Sequence, residues 1–203
     1  YYTPYAVSKI ISQILVPKSK KNKIKNVSCY DPSAGSGSLL MSLSHNIGAS
    51  KCSIYSQDIS QKSSDLLRLN LIINSLVHSI QNVIQGNTIL NPFHKEKENL
   101  KKFDYIVSNP PFNMNFSDFR EELFTDENQT RFFAGIPKVP PKKKDDMPIY
   151  QLFIQHILFS LNSNGKAAIV VPTGFLTGAG IDEKIRKLII DKNILAGVVT
   201  LPS

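Results

Sequence analysis

Cysteine is scarce in this chain. Its two copies, Cys29 and Cys52, each lie inside a short apolar stretch and at no metal-ligand spacing, which argues against a disulfide framework and fits reduced, buried core thiols. The histidines, His45, His78, His94 and His156, show no metal spacing either. No apolar run approaches the roughly 20 residues of a membrane span, and the N-terminus lacks the charged-then-apolar order of a secretory leader. These absences predict a soluble, cytoplasmic protein. Acidic residues are outnumbered, 16 Asp and Glu against 24 Lys and Arg, for a formal charge of +8. Such a field favours polyanions without proving that one binds. The excess gathers partly in two runs, Lys18, Lys20, Lys21, Lys23 and Lys25, then Lys138, Lys142, Lys143 and Lys144. Either run could be no more than a solvated loop.

What is present is enough for one core. With 203 residues and 41% hydrophobic content the chain reads as a single domain. Val7, Ile10, Ile11, Ile14 and Leu15 recur at helical spacing over 6–16, and Pro17 with the lysine run ends that helix. Strands are predicted at 27–30, 53–55, 79–85, 103–108, 166–171 and 194–201. Helices are predicted from Leu39, over 63–74, over 149–161 and over 183–191. Alternation of this kind predicts an α/β fold, a mostly parallel sheet with helices on both faces. Between 113 and 148 the periodicity disappears and Asn, Asp, Pro and Lys accumulate. This predicts a long basic loop, mobile in the absence of a partner and facing nucleic acid through Lys142, Lys143 and Lys144.

Three unusual segments end three of the predicted strands. In a parallel sheet, ligands bind beyond the carboxyl ends of the strands, so the three would share one rim. Ser33, Ala34, Gly35, Ser36 and Gly37 form a small-residue turn whose backbone a ligand can approach closely. Its spacing fits neither the GxGxxG dinucleotide fingerprint nor the GxxxxGK[ST] phosphate loop. Asp58, at the end of the second strand, is placed to accept hydrogen bonds from ribose hydroxyls, or else to serve only as a helix N-terminal carboxylate. Asn109, Pro110, Pro111 and Phe112 follow the fourth strand. There the Asn109 side-chain oxygen and the Pro110 carbonyl could both accept from one exocyclic amine while Phe112 stacks on its ring.

Taken in order, YYTP, DPSAGSGSLL, SQDIS, GNTIL, SNPPF and VPTGFL resemble the amino-methyltransferases of DNA, and among them the modification subunit of type I restriction-modification systems. The resemblance implies a Rossmann-like methyltransferase that moves a methyl group from S-adenosylmethionine to adenine N6 in DNA. Tyr2, Thr3 and Pro4 match the motif over the methionine part of the cofactor. Asp31 and the Ser33 to Gly37 turn match the motif beneath it, Asp58 the ribose ligand, and Asn87 a position near the cofactor adenine. Asn109, Pro110, Pro111 and Phe112 match the catalytic motif, which acts on a flipped base and needs no metal. Partners implied are double-stranded DNA, a specificity subunit and a restriction subunit.

Two departures accompany the resemblance. Gly86-Asn87-Thr88 stands where the family commonly has Gly-Asp-Thr, and the sequence lacks the family's seventh strand, N-terminal helical region and C-terminal extension. A piece of the catalytic core is therefore expected to bind cofactor weakly and to methylate poorly by itself. Two other readings stay open: a methyltransferase for protein glutamine or ribosomal RNA, whose planar amide or amine suits the same loop, and a non-catalytic assembly module that keeps the fold.

Overall fold

Val27–Asp31 forms β1, and its alternating side chains enter two different cores. Cys29 packs with Leu39, Leu40, Leu43, Ile54, Leu67 and Val107, whereas Tyr30 packs with Phe103, Ile106 and Ile157. Burial on both faces is what a parallel sheet requires. The computed structural model describes residues 3–201, apart from the side chains of Lys20 and Asn22. The Tyr2 expectation therefore lies outside the described residues.

The remaining strands are β2 (Cys52–Asp58), β3 (Val83–Gln85), the two-residue strands β4 (Lys95–Glu96) and β5 (Asn99–Leu100), β6 (Phe103–Ser108) and β7 (Leu161–Ile169). Five of them form one sheet in the order β3-β2-β1-β6-β7, every pairing parallel. α1 (Tyr5–Leu15), α2 (Ser38–Ile47) and α3 (Gln61–Ile73) supply Leu15, Leu43, Leu67 and Leu71 to the core that contains Cys29. Asn46 ends α1 by donating to the carbonyls of Ser12 and Val16, both at 2.9 Å.

Packing divides the chain into two compact units where the sequence reads as one domain. The first holds the chain up to Pro110 together with Ile157–Val170; the second holds Pro111–His156 and the chain from Val171. The second contains α4 (Asp126–Arg131), the first half of α5 (Tyr150–Ser160) and α6 (Ile181–Asp191). Its residues 113–148 carry more order than the sequence suggests. Besides α4 they include short turns at Glu121–Leu123 and Lys144–Asp146, and they bury Phe116, Leu123, Phe132 and Met147. Single anchors spaced along irregular backbone leave no period to read. Gln155 of α5 is fully buried and holds this segment by its main chain, accepting from Ala134 N–H at 2.7 Å and donating to Gly135 O at 3.0 Å.

Two predicted strands need correction. Only Val83–Gln85 of 79–85 is a strand, because Val77–Asn82 coils into a tight helical turn. There Ser79 accepts from Ile54 N–H at 2.9 Å and Asn82 donates to Ile54 O at 3.1 Å, so side chains satisfy the β2 edge that a strand would have paired. The sixth predicted strand, 194–201, does not form: no described residue beyond α6 is in a strand, and residues 191–200 are all exposed. β-branched side chains favour extension, but a strand exists only where a neighbour takes its N–H and C=O groups.

Candidate active site

The sheet order reverses between β1 and β6, since β2 and β3 extend from one side of β1 while β6 and β7 extend from the other. The carboxyl ends of β1, β2 and β6 open on this switch point, the usual ligand crevice of such a sheet. The structure brings the Gly-rich turn, Asp58 and Asn109 to that rim within the first unit.

The turn is held from three directions. Gly35 N–H donates to Asp58 Oδ2 at 2.8 Å, Ala34 N–H to Gln57 O at 3.4 Å, and the Thr88 hydroxyl to Pro32 O at 2.7 Å. Gly35 and Gly37 both take positive φ, +53° and +83°, which a side chain would strain. A Cβ on Gly37 would lie 2.2 Å from Leu67 Cδ1, whereas one on Gly35 would meet nothing within 4 Å. Gly37 is therefore glycine for packing, and Gly35 borders open space.

That open side, with a carboxylate at its edge, fits a nucleoside-type cofactor. Asp58 Oδ1 also accepts from Ser60 N–H at 2.8 Å, so both its oxygens are oriented by main chain. A carboxylate has about four lone-pair sites, so these two bonds leave Asp58 room for two further donors. Ser60 in turn caps α3 by accepting from Ser63 N–H at 3.2 Å, so the corner held by Asp58 is also the start of that helix.

Beneath the turn lies a buried polar cluster. Asp31, only 1% exposed, accepts from Ser33 N–H at 2.9 Å, and the Ser33 and Ser108 hydroxyls lie 2.8 Å apart. Burial pushes the Asp31 carboxyl up to about 7; the Ser33 N–H opposes this, the Asp58 carboxylate adds to it, and the Ser108 and Ser33 hydroxyls oppose it again.

Asn109 follows directly on β6. Its Nδ2 donates to Thr3 Oγ1 at 3.1 Å, which holds the amide plane. Pro4 starts α1 and accepts from Ser8 N–H at 3.1 Å. Pro110 is buried and ends the first unit; Pro111 and Phe112 open the second. The Phe112 ring is 39% exposed and meets Tyr150 edge-on at 6.5 Å, while Phe112 O accepts from Tyr150 N–H at 3.4 Å. The Tyr150 hydroxyl donates to buried Asp182 at 2.8 Å. Burial, with Asp182 as acceptor, raises that phenol to about 12, so Tyr150 stays neutral and acts as a fixed prop.

Asn87 uses its side-chain oxygen locally, accepting from Ile89 N–H at 3.0 Å and Leu90 N–H at 3.2 Å, a role an aspartate would fill equally. Lys142, Lys143 and Lys144 are exposed in the second unit. Sequence reasoning missed Gln57, which is 1% exposed and clamps the loop after β3 by donating to Asn91 O at 2.8 Å and accepting from Phe93 N–H at 3.0 Å. A polar residue beside Asp58 at the end of an apolar strand was the available signal. Ser108, immediately before the Asn-Pro-Pro run, gave none. A cleft of about 390 Å³ lies at the opposite rim, lined by Ser28, Tyr55, Lys101, Asp104 and Asn162 among others. Its central carboxylate already accepts from Ser28 and Asn162, and it has no glycine-bared backbone. The size of that cleft does not make it the site. Among the described residues no cluster of three or more His, Cys, Asp or Glu could hold a metal, and no helix is long and apolar enough to cross a membrane.

Residues 1–203 match the model of a family described as N-6 DNA Methylase. The chain is 31% identical over 214 residues to the type I restriction enzyme MpnII methylase subunit of Mycoplasma pneumoniae, covering 100% of this chain and 37% of that protein. It is 30% identical over 207 residues to the MjaIX methylase subunit of Methanocaldococcus jannaschii, covering 100% of this chain and 34% of the relative. The chain thus spans little more than a third of the length of these two relatives. Among solved structures, a type I restriction-modification methyltransferase subunit from Streptococcus thermophilus superposes with a TM-score of 0.73 at 23% identity, over 94% of this chain and 38% of its own. That likeness shows the fold, a Rossmann-like parallel sheet covered by helices.

Proposed function

The chain belongs to the N-6 DNA methylase family, and from that premise we propose that it carries the methyl-transfer centre of a type I modification subunit, acting on adenine N6 in DNA. The observation that supports this reading most directly is the rim itself. A glycine turn with an open side, a main-chain-oriented carboxylate and a side-chain amide held by Thr3 are carried by neighbouring strands at one switch point.

In this reading the Ser33 to Gly37 turn and Asp58 hold S-adenosylmethionine, with Asp31, Asn87, Thr3 and Pro4 around it. When bound, the cofactor supplies an electrophilic methyl group. Asn109 Oδ1 and the Pro110 carbonyl each accept a hydrogen bond from the adenine amine and turn its nitrogen toward the electrophile; the methyl leaves sulfur as it joins nitrogen, and the surplus amine proton passes to water. Thr3 holds the Asn109 amide plane from one side, and with Nδ2 bonded to it the side-chain oxygen is the group left to accept from the amine. Phe112 offers its exposed ring to a base taken out of the stack, an interaction of about 1–3 kcal/mol. No side chain has to become a nucleophile, and catalysis is mostly positioning.

Double-stranded DNA is the proposed substrate, with Lys142, Lys143 and Lys144 at its phosphates. Specificity and restriction subunits are the proposed partners, because the relatives are named as type I restriction enzyme methylase subunits. The cytoplasm, where such DNA lies, is the proposed location. Incubation with methyl-labelled cofactor and duplex DNA, followed by digestion to nucleosides, should give N6-methyladenine, abolished by Asn109→Ala. Label in N4-methylcytosine, in RNA or in protein glutamine would replace this reading with another.

A further inference from the structure

We propose that Ser108 is a positioning residue for the methyl transfer inferred above, carrying the state of the Ser33–Gly37 turn to Asn109; the proposal rests on that reading of the site. Ser108 is the last residue of β6 and is fully buried. Its backbone belongs to the sheet, where its carbonyl accepts from Val170 N–H at 2.9 Å. The sheet does not need its hydroxyl. Alanine would complete the strand without the desolvation of a buried polar group.

The hydroxyl nevertheless has a partner on the cofactor side of the rim, the Ser33 hydroxyl 2.8 Å away. Each hydroxyl has one proton, and one assignment uses both: Ser33 donates to Asp31 Oδ1 at 3.4 Å, and Ser108 donates to Ser33 across the shorter distance. Asp31 also accepts from the Ser33 N–H at 2.9 Å, so the strand end is tied through Ser33 to the buried acceptor beneath the turn.

The residue after Ser108 is Asn109, held on its far side by Thr3 at 3.1 Å. Asn109 therefore sits between one anchor in the N-terminal segment and one covalent neighbour that is bonded into the Gly-rich turn. A ligand settling on the open side of Gly35 shifts Ser33, two residues earlier, and Ser33 shifts Ser108. Misplacing a reacting group by about 1 Å is enough to slow a positioned reaction on the order of a hundredfold. The link thus couples occupancy of the turn to the aim of the Asn109 amide.

The test compares the wild-type chain with Ser108→Ala, Ser108→Thr and Ser33→Ala, using S-adenosylmethionine as the probe and two readouts. One is the side-chain amide resonance of Asn109 during cofactor titration; the other is the single-turnover rate of methyl transfer to duplex DNA against cofactor affinity. The wild-type resonance should move on binding. In Ser108→Ala the cofactor should still bind within about threefold, the resonance should no longer follow it, and the transfer rate should fall at least about tenfold with little change in KM. Threonine should restore both, and combining Ser33→Ala with Ser108→Ala should be no worse than either alone, since the two form one link. If Ser108→Ala fails to fold, Ser33→Ala and the threonine variant carry the test. Normal coupling and rate in the variants, or a rate loss that only tracks lost stability, overturns the proposal while leaving the cofactor reading intact. A wild-type chain that binds no cofactor overturns the reading and this inference with it.

Discussion

Gly35 and Gly37 stand two residues apart in one turn, and a methyl group added to each should fail differently. At Gly37 the added Cβ would press on Leu67, itself 1% exposed and unable to swing aside, on backbone at φ +83°. The left-handed backbone costs about 1–2 kcal/mol and overpacking about 1–3 more, so Gly37→Ala should lower the melting temperature by many degrees. Gly35→Ala meets no neighbour and should cost only the left-handed backbone, about 1–2 kcal/mol, yet it should weaken cofactor binding at least tenfold because its Cβ stands on the open side. Thermal melts paired with calorimetry separate the two. Asp31 gives a second prediction at this scale. Its carboxyl is raised from 3.8 to about 7, so between those values the folded state binds a proton that the unfolded chain has lost. Stability therefore falls as pH rises through that window, by up to on the order of 4 kcal/mol at about 1.4 per unit. Asp31→Asn, still able to accept from Ser33, should flatten this dependence and melt higher than wild type at pH 8 but not at pH 4. Equal pH slopes in the two proteins would show that Asp31 titrates normally.

Among the elements, α5 shows how a helix can organise backbone that has no regular structure. Gln155 occupies one face of it, fully buried, and supplies partners for Ala134 N–H and Gly135 O. Gln155→Leu keeps the volume and orphans both groups, so a loss of about 2–4 kcal/mol is expected. Hydrogen exchange should accelerate around residues 132–136 before the rest of the chain opens; uniform acceleration would contradict this local role. The same element explains what was legible in the sequence. Helical spacing located α1, α2, α3, α5 and α6 to within a few residues, and the glycine, aspartate and Asn-Pro-Pro segments marked the ends of β1, β2 and β6 because each breaks an apolar run in a chemically distinctive way. What escaped were features fixed by partners distant in the chain. Ser79 and Asn82 finish the β2 edge by side-chain bonds, so the expected strand shortens to Val83–Gln85. Residues 194–201 have strand composition but no ladder among the described residues. Ser108 looks like any strand residue until Ser33 is brought to it.

At the scale of the whole molecule, the charge of +8 acquires meaning only through its placement. Lys142, Lys143 and Lys144 lie exposed together in a segment whose remaining order comes from buried anchors such as Phe116 and Met147. Changing the three lysines to alanine should weaken DNA binding about equally for all sequences and flatten its salt dependence, by about 0.9 in logarithmic slope for each phosphate no longer neutralised. An unchanged slope would remove this segment from the DNA interface. The proposed methyl transfer requires above all that the rim where β1, β2 and β6 end be a cofactor site. Calorimetric titration of S-adenosylmethionine into the chain, with Asp58→Ala as comparison, tests that most directly. One-to-one binding, weak but measurable and reduced at least tenfold by the substitution, is the predicted result; equal binding by both proteins, or none by the wild type, would contradict it.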